Sequence, residues 1–144
     1  NLFKICGALK VDITALLSNT NLPKVVVRKA ERKEVFHTNS HIKYELTTEG
    51  TQSLKGVCIT IPEDYSEEVV SMGHSRDEFG IITEGCMSMT LDDQEYLLEP
   101  GDSIFIAKDT RHRYRRVGEG PCVSYWTFVR PDATNEIVLD GLEF

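Results

Sequence analysis

No stretch of this chain comes near the roughly 20 consecutive apolar residues that a helical membrane span requires, and nothing in it has the layout of a secretory signal. Positive charge is also scarce. Sixteen Lys and Arg stand against 23 Asp and Glu, a formal net charge of -7. Such a chain lacks the global field that drives non-specific nucleic-acid binding. The four cysteines, Cys6, Cys58, Cys86 and Cys122, form no Cys-x-x-Cys pair and sit mostly in apolar segments. That is the pattern of small buried thiols in a reducing compartment, not of a disulfide framework, and it sets the expected location as cytoplasmic. What is present, 144 residues of which 40% are hydrophobic, is enough to close one core.

The chain starts in a helical pattern. Leu2, Phe3, Ile5, Cys6, Leu9, Ile13, Leu16 and Leu17 recur at the spacing of a helix face. Gly7 weakens that helix, and the break at Lys10-Val11-Asp12 predicts two short helices with Asp12 as N-cap. Alone this segment has little to bury against. Ser18 to Pro23 is polar, ends in proline and reads as a linker. The run from Leu2 to Leu17 resembles the last part of a repressor-type helix-turn-helix domain. The resemblance implies that residues 1–20 are the remnant of such a domain plus its linker. Most of the DNA-contacting region would then precede Asn1. A generic amphipathic helix packed on the following domain is the simpler reading of the same spacing.

Past the linker the periodicity changes to that of strands. Lys24 to Arg28 is a β-branched run, Glu34 to His37 and Ile42 to Leu46 are short candidates, and Leu54 to Ile61 alternates until Pro62 ends it. Met87, Met89 and Leu91 alternate with Ser88 and Thr90. Asp92-Asp93 then supplies a tight turn into the strand carrying Tyr96 and Leu98. Glu99-Pro100-Gly101-Asp102 is a proline-glycine turn, followed by Ile104 and Ile106 on one face and Phe105 on the other. Cys122 to Val129 is the last long strand. Many short strands between polar turns predict an all-β sandwich or barrel.

Two segments within this succession carry candidate chemistry. The first runs from His74 through Glu78 to Gly85, the second from Gly101 to His112. Together they resemble the paired motifs of the cupin family. The resemblance implies a double-stranded β-helix, or jelly-roll barrel, over residues 24–144, with the short helical segment before it. It also implies that His74, Glu78 and His112 converge as metal ligands. Met72 stands where the family has its first histidine, Ala107 and Asp109 replace the second motif's proline and glycine, and Arg116 replaces its asparagine. Two imidazoles and a carboxylate suit a divalent ion such as zinc, nickel, iron or manganese, and a thioether at Met72 adds little to such a set. The alternative is a hydrogen-bonded cluster, or direct binding of a polar ligand, without metal.

The aromatic residues of the strands offer walls for a ligand cavity, although plain core packing is their commoner role. Tyr44, Phe105, Tyr114 and Trp126, with Arg111, are the candidate ligand-binding residues; Phe79 and Tyr125 have the same character. Arg111 and Arg116 belong to a basic run and are placed to pair a ligand carboxylate. His37, His41 and the acidic pairs Glu63-Asp64 and Glu67-Glu68 read as solvated surface. The expectation is a homodimeric, small-molecule-sensing domain of a bacterial helix-turn-helix transcriptional regulator, reaching DNA through the region outside this chain, and not an enzyme. The alternative is a stand-alone metal-dependent cupin enzyme, a dioxygenase or isomerase, in which Tyr114 serves as acid or base.

Overall fold

The computed structural model describes residues 22–35, 39 and 41–129, together with the backbone of 138–139 and 142–143. The expected N-terminal helices with their Asp12 cap lie outside the described residues, as do Phe36 and His37. The strands are β1 (Lys43–Leu46), β2 (Leu54–Ile61), β3 (Val69–Ser71), β4 (Glu78–Glu84), β5 (Cys86–Leu91), β6 (Gln94–Leu98), β7 (Ser103–Ile106), β8 (His112–Val117), β9 (Cys122–Val129), β10 (Val138–Leu139) and β11 (Leu142–Glu143). They pair into a five-stranded sheet ordered β1-β2-β9-β4-β7 and a four-stranded sheet ordered β3-β8-β5-β6; β10 and β11 form a separate hairpin. Every pairing is antiparallel. This is the all-β jelly-roll expected.

Alternation decides what goes inside. On β9, Cys122, Ser124, Trp126 and Phe128 are buried and the residues between them are not; on β8, His112, Tyr114 and Arg116 behave likewise. Tyr44, Val57, Ile61, Ile82, Met87 and Met89 complete the fully buried centre. Asp92 and Asp93, with φ of 43° and 72°, make the β5–β6 hairpin turn, a conformation whose twist matches that of the flanking strands. Ser88 departs from the pattern. It is buried beneath Glu95, to which its hydroxyl donates at 2.6 Å.

Lys24 to Arg28 is not a strand. Val25 is 97% exposed, and a short 3-10 turn at Lys29–Glu31 follows. A β-branched run needs a neighbouring strand to pack against, and none pairs with it here. Further along, Arg32 lies over the Tyr125 ring at 5.3 Å and donates to its hydroxyl, and Glu34 makes a single bridge to Glu45. The strand expected over 34–37 therefore reduces, among the described residues, to that bridge.

One close approach shapes the barrel interior. A Cβ added to Gly80 would lie 2.5 Å from the Trp126 ring, so the indole rests directly on the β4 backbone. Trp126 Nε1 donates to the Ser124 hydroxyl at 2.9 Å. Gly80→Ala must push the indole aside and is expected to cost about 1–3 kcal/mol of stability, read from urea unfolding with an unchanged m-value. A second expectation concerns alkaline pH. Burial pushes the Cys122 thiol up to about 11 from its ordinary 9.0. Between those values the unfolded chain loses a proton that the folded chain retains, so stability falls as pH rises through that window. Urea midpoints at pH 8 and pH 10 should drop more for wild type than for Cys122→Ala.

Candidate metal centre

Three elements carry the candidate ligands. Glu78 opens β4 and points inward with Gly80, while Phe79 between them faces out. His112 opens β8, and its backbone pairs with Ser71 of β3. His74 sits in the loop joining β3 to β4. Gly73, at φ +101°, turns the chain there and lets the loop touch the one before β8. A Cβ on it would lie 3.0 Å from the Asp109 carbonyl carbon. Asp109 N–H donates to His74 O at 2.6 Å and Lys108 N–H to Asp77 Oδ1 at 2.9 Å, which staples the two loops together.

The ligand atoms of His74, Glu78 and His112 all lie within 4.8 Å of one another, and all three residues are buried. His74 Nε2 is 3.6 Å from Glu78 Oε1, and the two imidazole centroids are 5.4 Å apart with planes at 59°. His112 Nδ1 is 3.0 Å from Thr110 O. A carbonyl only accepts, so Nδ1 carries the proton and Nε2 presents its lone pair inward, as a metal-binding imidazole requires. Two imidazoles and a carboxylate so placed fit a divalent first-row ion with positions left open.

Two inward residues at this cluster escaped the sequence reading. Ser71 is buried, its hydroxyl 3.4 Å from His74 Nε2. Arg76 is also buried; its guanidinium lies 3.8 Å from the centroid of the Phe128 ring and 3.7 Å from Glu78 Oε1. The signal for Arg76 was the period-two alternation itself, which runs inward through His74, Arg76, Glu78 and Gly80.

The other expected residues are dispersed. Tyr44 and Tyr114 are buried and share a hydroxyl–hydroxyl hydrogen bond of 3.0 Å; Trp126 is buried over Gly80. Arg111 is exposed and borders a polar groove of about 460 Å³, which Val70, Thr90, Asp92, Asp93 and Arg113 line with it and where His112 reaches the edge. Phe105 does not face the interior. It is 60% exposed and pairs across the outer surface with Phe79, because Ile104 and Ile106 take the inward register of β7. Arg116 is held by the carbonyls of Tyr65, Gly118 and Gly120 and is not free for a ligand. His41 is exposed and stacks on Tyr65 at 5.2 Å. Met72 is 72% exposed, so the position aligned with a family histidine points away from the cluster.

Residues 59–128 match the family model described as Cupin domain. Protein SchB of Streptomyces halstedii is 35% identical over 75 residues, covering 51% of this chain and 52% of that protein. The hydroxypropylphosphonic acid epoxidase from S. wedmorenis superposes with a TM-score of 0.61 at 20% identity, over 72% of this chain and 58% of that one. An RmlC-like cupin from Shewanella frigidimarina gives 0.63 at 18%, over 77% and 94%. The chain thus spans about half the length of SchB and somewhat more of the epoxidase. At these identities the solved structures show the fold. The sequence reading had set the chain among non-enzymes. That expectation is corrected, because the barrels it resembles include ones solved as the hydroxypropylphosphonic acid epoxidase and as FeII HppE.

His74→Ala, Glu78→Ala and His112→Ala should each lower Co(II) affinity by ~100-fold or more while leaving the far-ultraviolet circular dichroism unchanged. Met72→His should leave retained metal unchanged in elemental analysis, since the side chain faces solvent.

Proposed function

We propose that the cupin barrel of this chain is a mononuclear, divalent-metal enzyme domain acting on a small polar molecule. Among the ions its ligand set suits, iron(II) is the first choice. The observation that carries this reading is the buried convergence of His74, Glu78 and His112, with the His112 tautomer set by Thr110. Two histidines and one carboxylate on one side of an ion are the ligand set of non-haem iron oxygenases. An ion held there would supply Lewis acidity and open positions at which substrate and a co-reactant such as dioxygen meet.

The chain's own residues do the rest. His74 and His112 hold their nitrogens in fixed orientation, and the stapled loops keep those orientations without reorganisation. Burial keeps bulk water from the ligands. The Tyr44–Tyr114 pair shares a proton between two hydroxyls on the barrel's inner face, Tyr114 two residues along β8 from His112. That placement suits Tyr114 as a hydrogen-bond donor to substrate.

A second reading uses the same centre differently. The pattern from Leu2 to Leu17, ahead of the barrel, supports a chain that also regulates transcription, with the barrel taking a small-molecule effector and a homodimer matching two operator half-sites. The thiols of Cys58, Cys86 and Cys122 are free, in keeping with a reducing cytoplasmic setting. Among the described residues, no helix is long and apolar enough to cross a membrane.

Anaerobic loading with Fe(II), followed by oxygen-electrode recording against a panel of small carboxylic, phosphonic and hydroxy compounds, tests the first reading. The expected result is substrate-dependent oxygen uptake that Glu78→Ala reduces by at least ~100-fold. Uptake equal in wild type and Glu78→Ala, or no retained iron, counts against it. For the second reading, residues 1–144 should show no sequence-specific DNA binding at moderate salt, given the net charge of -7. Binding by the full gene product, modulated by a compound that protects the barrel against heat, is the expected outcome there.

A further inference from the structure

We propose that the groove bordered by Arg111 is a second binding site, outside the barrel, and that it takes a small zwitterion: a short aliphatic molecule carrying both a carboxylate and an ammonium group. The site does not depend on an ion at His74, Glu78 and His112. It grows out of the basic run on β8. That strand buries His112, Tyr114 and Arg116 and leaves Arg113 and Arg115 exposed, with Arg111 exposed just before it. Arg113 lies in register between Val70 of β3 and Thr90 of β5, so these three form one row across the outer face of the four-stranded sheet. Two residues beyond Thr90 the β5–β6 turn begins. Asp92 N–H donates to Arg111 O at 3.3 Å, which ties that turn to the start of β8. A two-residue turn has little slack, so Asp92 and Asp93 are held at the groove they line.

Opposite charges share this groove without pairing. Arg111 and Arg113 line it together with Asp92 and Asp93, two formal charges of each sign. Among the described residues no ion pair joins either arginine to either aspartate. Arg113 instead faces Glu68 at 3.7 Å, with both side chains about half exposed. An exposed pair of that kind holds its members loosely. A lone anion in the groove meets the aspartates, and a lone cation meets the arginines. A molecule with one charge of each sign satisfies both sets. Val70, 53% exposed, adds apolar surface for the carbon spine between the two charges. The volume of about 460 Å³ is that of a small-molecule site. An extended polyanion fits less well, because the chain carries a net charge of -7 and two carboxylates share the groove.

The test follows backbone amide chemical shifts of the isotope-labelled intact chain, so that each residue reports its own surroundings. γ-Aminobutyrate and α-aminobutyrate are the zwitterions; butyrate and butylammonium carry one charge each on the same spine. All four are titrated at constant ionic strength into wild type, Arg111→Met and the double variant Asp92→Asn/Asp93→Asn, whose spectra also show that each is folded. At least one zwitterion should give saturable shifts centred on Val70, Thr90, Asp93 and Arg113, with affinity about 3-fold or more above either single-charge analogue. Arg111→Met should weaken that zwitterion by ~3-fold or more. The double variant keeps its turn, since asparagine tolerates a left-handed φ, and should reverse the preference so that butyrate binds more tightly than the zwitterion. Equal affinities for zwitterions and single charges, or affinities indifferent to both variants, would overturn the assignment. So would shifts centred on His74 and Glu78, and so would the absence of saturable shifts from both zwitterions. Co(II) uptake reports the barrel centre separately, and its failure leaves these outcomes untouched.

Discussion

Closing an antiparallel barrel forces alternate residues of every strand into one enclosed space, and this chain places a carboxylate there. Glu78 cannot be buried ionised without compensation. The surroundings of the site meet that requirement: Arg76 beside it, His74 Nε2 3.6 Å from its Oε1, and His112 entering from the opposite sheet. The interior is accordingly divided along β4. Arg76 and Glu78 stand at one end, Gly80 under the Trp126 indole marks the change, and Ile82 continues into the apolar centre with Met87 and Met89. The apolar end contributes the stability that allows the polar end to remain partly occupied by groups chosen for chemistry.

The polar end is also rigid for identifiable reasons. Gly73 supplies a left-handed conformation and the room for two loops to meet, and backbone bonds from Asp109 and Lys108 join them to His74 and Asp77. Each histidine is thereby oriented by backbone rather than by its own rotamer alone. A site held in this way loses little entropy when an ion or ligand enters.

Much of the fold was legible from residue order. The boundaries of β2 and β9, the Asp92-Asp93 hairpin and the Pro100-Gly101 turn follow from period-two alternation and turn chemistry, which are local. The failure at Lys24 to Arg28 was local reasoning at its limit. β-branched residues favour a strand only where a neighbour offers hydrogen bonds, and no strand edge lies beside them. At Met72, which stands where the family has its first histidine, the structure leaves the side chain 72% exposed: a family position carries over in sequence, but a side chain faces inward only if the backbone puts it there.

By itself the sequence determined an all-β architecture, which depends on periodicity along the chain, while His74, Glu78 and His112 were named as a set by the resemblance of their two motifs to those of cupins. Only the tertiary structure decided which groups join that set. Ser71 and Arg76 reach it, Tyr44 and Tyr114 meet each other, and Phe105, Arg111 and Arg116 are placed elsewhere. Those outcomes turn on the approach of β3, β8 and β9 to β4, residues tens of positions apart. Distance across a closed barrel is a property of strand order and register, which no local pattern encodes.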